Sequence, residues 1–210
     1  MSSFESIPWC AALLQKPGVI KFIPGARVPG GPSQDQFFRI SLKTDNAVPD
    51  YIAFYQSPFS DPTRMTLPPT RSVEGGQQFL INTLSLLVAL GPGVNGFNGT
   101  VHGGLTASIF DEAMGSLLFS NAAVLGEMKA KGAAIPANIL DLTEVGPTFT
   151  ASMNVKFMKP IPTPQVVIVT TTLTKAEGRK LTLTYDVRDG KGTEYATGEA
   201  IWISLRKEKI

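Results

Sequence analysis

The sequence predicts an α+β domain in which one long buried helix packs on an antiparallel sheet, behind an irregular N-terminal extension. Three observations predict it. Residues 105–120 are apolar on nearly every side, lack proline and are rich in the helix formers Leu, Ala and Met, which describes one helix buried all round. Residues 150–157, 166–175, 180–188 and 194–205 are rich in Thr, Val, Ile and aromatic residues, the composition of strands. Glu177-Gly178 and Asp189-Gly190-Lys191-Gly192 stand where tight turns would join the last three of these into a meander.

The remaining elements follow in chain order. Residues 6–15 suit a short helix, stopped by Pro17-Gly18. Loop sequence runs through Gly25 and Pro29-Gly30-Gly31-Pro32, residues 36–42 (QFFRISL) and 51–55 suggest strands, and 58–69 is irregular again. The apolar runs of 1–70 are short and scattered, so this part is expected to pack on a domain formed by 71–210. Residues 79–88 fit a helix by composition, with Gly91-Pro92-Gly93 as its stop, but periodicity alone does not separate helix from strand there.

Bulk properties exclude several classes. With 43% hydrophobic and 17% charged residues, the 210-residue chain can bury one sizeable core. A net charge of +2 with no cluster of Lys and Arg argues against a nucleic-acid partner. The longest apolar stretches are interrupted by Asn82, Ser85, Asp111 and Glu112 and fall short of the roughly 20 residues of a membrane span. The start Met1-Ser2-Ser3-Phe4-Glu5-Ser6 has no basic leader, and the end Lys207-Glu208-Lys209-Ile210 is not a peroxisomal address. Cys10 is the only cysteine, beside Trp9 and Ala11-Ala12-Leu13-Leu14, and reads as a small buried residue in a reducing compartment. A cytoplasmic location is expected.

The chemistry concentrates at Asn95-Gly96-Phe97-Asn98-Gly99-Thr100-Val101-His102-Gly103-Gly104 and the helix that follows. His102 is the only histidine. Gly103-Gly104 opens the helix without side chains, so a ligand can reach bare N–H groups at the positive end of its dipole. Asp111 interrupts the apolar helix among Ala107, Ser108, Met114, Gly115 and Leu118, where an unpaired carboxylate is costly. A structural acid satisfied by a backbone or distant basic group is the plainer alternative. Glu112 points about 100° further round and reads as structural. His102 either transfers protons or orients the glycine turn. One His and one Cys without ligand spacing offer too little for a metal. G-x-S-x-G is absent and there is no second histidine, which argues against a Ser-His-Asp hydrolase.

Spacing adds a constraint. Gly104 and Asp111 are seven residues apart, roughly 10 Å along one helix. A single carbonyl cannot lie about 3 Å from both. If both act on one substrate, the glycine end comes from a second copy of the helix, which implies a dimer with antiparallel helices at its interface.

The run Val101-His102-Gly103-Gly104-Leu105-Thr106-Ala107-Ser108-Ile109-Phe110-Asp111-Glu112-Ala113 resembles the His-Gly-Gly…Asp signature of the hotdog-fold acyl-CoA thioesterases. The resemblance is to the phenylacetyl-CoA type and the human thioesterase superfamily members. Met153-Asn154-Val155-Lys156-Phe157-Met158-Lys159-Pro160 looks like that family's strand after the helix. Likeness runs from about 95 to 205, and the extended N-terminus looks like fungal relatives, some of which serve natural-product pathways, so aromatic or polyketide acyl groups enter consideration.

The resemblance implies a hotdog fold, a homodimer or a dimer of dimers, no cofactor, and hydrolysis of an acyl-CoA or acyl-carrier thioester. Asp111 would be general base or nucleophile, and the Gly103 N–H of the other subunit would polarise the carbonyl, beside His102 and Gly104. Thr150, or Ser152 as second choice, would hold the water. Some relatives carry an asparagine six residues before the histidine. Here that position is Gly96, with Asn95 and Asn98 as the nearest substitutes. The connection 121–146 is longer than the family usually has and contains Glu127-Met128-Lys129-Ala130-Lys131, expected as a short helix, in a lid over the acyl pocket or a surface embellishment. Lys156, Lys159, Arg179 and Lys180 are available for CoA phosphates, or are simply a solvated strand face. Two alternatives stand beside hydrolysis: a dehydratase, cyclisation or product-release enzyme on the same fold, and a non-catalytic acyl-CoA binder.

Overall fold

The computed structural model describes residues 3–28, 30–31, 33–59, 67 and 78–205. In chain order it runs α1 (Pro8–Leu14), β1 (Val19–Phe22), β2 (Tyr51–Gln56), β3 (Thr83–Leu90), β4 (Asn95–Phe97), β5 (Thr100–Val101), α2 (Gly103–Ala130), β6 (Thr148–Phe157), β7 (Gln165–Glu177), β8 (Lys180–Arg188) and β9 (Glu194–Ser204). Seven strands form one sheet in the order β1-β2-β3-β7-β8-β9-β6, antiparallel at every junction. A long central helix against such a sheet is the hotdog arrangement.

The helix α2 has 28 residues, about 42 Å of axis. Its apolar residues lie all round, so Leu105, Ile109, Phe110, Ala113, Met114, Leu117 and Leu125 are buried together with the inward rows of the strands. Those rows alternate as the pleat requires: Val167, Val169, Thr171 and Leu173 on β7, and Leu181, Leu183, Tyr185 and Val187 on β8. The opposite face of the sheet carries a second cluster, where Phe4, Cys10 and Leu14 cover Ile52, Phe54 and Leu87. Burial pushes the Cys10 thiol up to about 11, which keeps it a neutral apolar residue. Gly190, in the β8–β9 turn, admits this helix: a Cβ there would lie 2.5 Å from the Trp9 ring.

The expected helix at 6–15, the strand at 51–55 and the four C-terminal strands occur with shifts of at most a few residues at their ends. The β7–β8 turn places Gly178 at φ +59°, and Asp189 Oδ1 accepts from the N–H groups of Lys191 and Thr193 to close the β8–β9 turn.

Two expectations are corrected and one open reading is decided. Residues 36–42 do not form a strand; Phe37–Ser41 is a π-helical turn. It begins after Asp35 at φ +52°, and its buried Phe38 packs edge-on against Tyr51. Residues 79–88 contain no helix, and the run becomes β3. Leu84, Leu86, Val88 and Leu90 face α2 while Leu87 faces α1, so burial on both sides produced the consecutive apolar residues 86–88. Glu127–Lys131 is not a separate helix; α2 itself continues to Ala130, and Gly132 at φ +65° ends it.

Candidate functional site

His102 is the N-cap of α2, and its Nδ1 accepts the Gly104 N–H at 2.9 Å. That bond occupies Gly104 and leaves Gly103 as the donor at the helix start. A Cβ on Gly104 would lie 3.0 Å from the same ring nitrogen, and a Cβ on Gly103 would lie 3.3 Å from the Phe157 ring. Gly96 packs on this cap: a Cβ there would lie 3.1 Å from His102 Cα. Asn95 Oδ1 accepts from Thr163 Oγ1, and Asn98 lies exposed in the β4–β5 turn.

Asp111 lies two turns further along α2, half-buried, and its Oδ1 accepts from Thr150 Oγ1 at 2.5 Å. A β-bulge decides which hydroxyl faces the acid. Thr150 pairs with Trp202 but Ser152 pairs with Ile201, so the extra residue Ala151 turns Ser152 to the opposite face. Thr150 therefore shares the helix-side face with Met153, while Ser152 points away.

The two ends of the site are apart within one chain. Gly103 adjoins Phe157 at one end of β6, and Asp111 adjoins Thr150 near the other. The structure thus brings Thr150 to Asp111 and His102 to Gly104, and does not join the two pairs.

Glu112 belongs to a buried network that sequence reasoning missed. The Tyr51 hydroxyl donates to Glu112 Oε1 at 3.1 Å, the Arg27 guanidinium lies 4.7 Å over the Tyr51 ring, and Arg27 donates to the Val48 carbonyl at 2.6 Å. Burial pushes the Glu112 carboxyl up to about 7; Tyr51 opposes the shift, and the neighbouring Asp35 and Asp111 add to it. Burial likewise raises Tyr51 and lowers Arg27. These partners come from the start of β2 and a distant 3-10 turn, and nothing local in the sequence signals them.

A cleft of about 530 Å³ opens beside Asp111 and Glu112 and follows α2 past Gly115, Ser116, Phe119 and Ser120, with Asp35 and Tyr55 on its far wall. Its size suits an organic ligand. Among the described residues no three His, Cys, Asp or Glu side chains converge on a metal site, and no helix is long and apolar enough to cross a membrane. Of the four basic candidates, Arg179 donates to the Ser204 carbonyl at 3.2 Å, while Lys156, Lys159 and Lys180 are exposed.

The thioesterase superfamily matches residues 98–196. Verlamelin biosynthesis protein B of a Lecanicillium species is 31% identical over 83% of this chain and 74% of its own length. Acyl-coenzyme A thioesterase THEM4 of Bos taurus is 32% identical over 57% of this chain, a match that spans only 40% of the bovine protein. Among solved structures, a hypothetical thioesterase from Streptococcus pneumoniae TIGR4 with coenzyme A aligns at a TM-score of 0.47 and 9% identity, over 66% of this chain and 88% of that one. The chain belongs to the hotdog-fold thioesterase superfamily.

Proposed function

We propose that this protein hydrolyses an acyl thioester, acyl-CoA or acyl-carrier protein, to a free acid and a thiol, with Asp111 as general base. The observation that carries the reading is the hydrogen bond from Thr150 to Asp111, a residue that lines the cleft. With Thr150 donating to Oδ1, the threonine oxygen accepts a hydrogen bond from water and Oδ2 is left to take the proton. The resulting hydroxide adds to the thioester carbonyl, and the tetrahedral oxyanion is held by the Gly103 N–H at the positive end of a helix. Collapse breaks the C–S bond, and the proton on Asp111 passes to the leaving thiolate. If Asp111 attacks instead, a mixed anhydride forms and water cleaves it, with the same products.

One chain is insufficient for this chemistry, and the protein acts as a homodimer. The β6 strand is a ten-residue sheet edge with most residues exposed, Phe149 and Phe157 among them. An edge this long is a template for a second strand. A two-fold axis at the middle of β6 sets Thr150 of one copy opposite Val155 of the other, two residues from that copy's Phe157. Gly103 of the second copy, packed on its own Phe157, then approaches Asp111 of the first.

The match to a named biosynthesis protein over most of its length favours a second form of the same reaction, release of an acyl chain within a biosynthetic pathway. The test is thiol release from short, long and aromatic acyl-CoA esters and from acyl-carrier thioesters, with wild type beside Asp111→Asn. Hydrolysis that falls about a hundredfold or more in the variant supports the reading. Equal rates in wild type and variant, or no release from any ester, refute it.

A further inference from the structure

A second cleft lies on the other side of Phe119. It measures about 330 Å³ and is lined by Leu118 and Ala122 of α2, by Leu142 and Val145 of the 131–147 connection, and by Phe149 of β6. It shares Gly115, Phe119 and Trp202 with the cleft that holds Asp111, so the two clefts adjoin, with Phe119 on the wall between them. Phe119 is 77% exposed, and Gly115, one turn nearer Asp111, puts only a hydrogen atom at the junction.

The clefts differ in chemistry. Beyond Asp111 the first contains Gln34, Asp35, Glu112, Ser116 and Ser120, whereas among the described residues lining the second the polar side-chain atoms are the Thr148 hydroxyl and the Trp202 indole N–H. A hydrocarbon tail laid along the first would strip water from two carboxyl groups without replacing their hydrogen bonds. In the second it meets apolar walls and gains from every methylene buried. Reach is also suitable. Phe119 is eight residues beyond Asp111, about 12 Å along the helix, and an extended chain covers about 1.2 Å per bond. A chain whose carbonyl is at Asp111 therefore meets Phe119 after about ten bonds.

We propose that the second cleft receives the distal part of a long unbranched acyl chain, of about twelve carbons or more, and that Phe119 is the residue at which accepted chain length is decided. The proposal rests on the hydrolase reading. It also gives the connection after α2 a role, because Leu142 and Val145 form the wall that the tail meets.

The experiment compares kcat/KM for octanoyl-CoA and hexadecanoyl-CoA in wild type, Ala122→Trp and Phe119→Ala, with oligomeric state checked for each. Binding of the non-hydrolysable thioethers S-octyl-CoA and S-hexadecyl-CoA is measured in parallel. Ala122→Trp fills the second cleft and is expected to lower the long-to-short ratio on the order of a hundredfold in both assays, because several methylenes lose their site. Phe119→Ala widens the junction and is expected to raise that ratio. Wild type that prefers the eight-carbon ester, or an Ala122→Trp variant that loses both substrates equally, overturns the proposal. So does a dimer that dissociates while the ratio stays the same. If wild type cleaves neither ester, the thioether ratio still decides whether the cleft binds the tail, and the hydrolase reading is judged on the wider set of thioesters above.

Discussion

Thr150 Oγ1 lies 2.5 Å from Asp111 Oδ1, and this contact joins the edge strand of the sheet to the central helix. It satisfies one oxygen of a carboxylate that lines the cleft. Thr150→Val removes the hydroxyl at nearly constant volume. We expect kcat for thiol release to fall about tenfold to a hundredfold, with Thr150→Ser recovering most of it. Ser152→Ala, on the opposite strand face, should change kcat less than about threefold.

Gly103 and Gly104 are separable. Gly103 is the first residue of α2, where proline is favoured, and His102 at φ −64°, ψ 131° already has the backbone that precedes proline. Gly103→Pro deletes the free N–H and asks the Phe157 ring to give by a few tenths of an ångström. The expected result is a kcat loss of about a hundredfold, the scale of one oxyanion donor, with little change in Tm.

His102→Ala removes a side-chain cap from a helix of 28 residues. The expected cost is about 1 kcal/mol, or a Tm lower by roughly 2–4 °C in thermal denaturation. If His102 instead transferred a proton, kcat would drop by orders of magnitude and the pH profile would change shape.

Glu112 gives a signed pH dependence. Its carboxyl is raised from 4.5 to about 7 in the folded chain, so the folded state holds a proton that the unfolded state releases. Its stabilising contribution is fully present below pH about 4.5 and is lost as pH rises through about 7. Across that window wild type should lose on the order of 2 kcal/mol relative to Glu112→Gln, read as diverging denaturant midpoints between pH 4.5 and 7.5. Parallel curves would mean that Glu112 stays ionised.

What was legible in the sequence follows from range. The helix around Asp111 and strands β6 to β9 announce themselves through composition and turn residues, since each depends on its own segment. The run 79–88 was ambiguous because β3 is apolar toward both α2 and α1, which removes the alternation that marks a strand. Residues 36–42 alternate, but Phe38 satisfies its burial against Tyr51 from a π-turn. The partners of Glu112 lie far away in sequence: Tyr51, at the start of β2, is 61 positions earlier, and Arg27 further still. By contrast, the choice between Thr150 and Ser152 turned on one bulge residue, a register detail that composition does not encode.

The most direct test mixes two inactive proteins. Asp111→Asn and Gly103→Pro are purified separately, unfolded together, refolded and assayed for thiol release. A heterodimer of the two contains one site with both Asp111 and a free Gly103 N–H, so random pairing of half the subunits should restore about a quarter of wild-type activity. A mixture no more active than either variant alone, with heterodimers present, would contradict a site built from two copies.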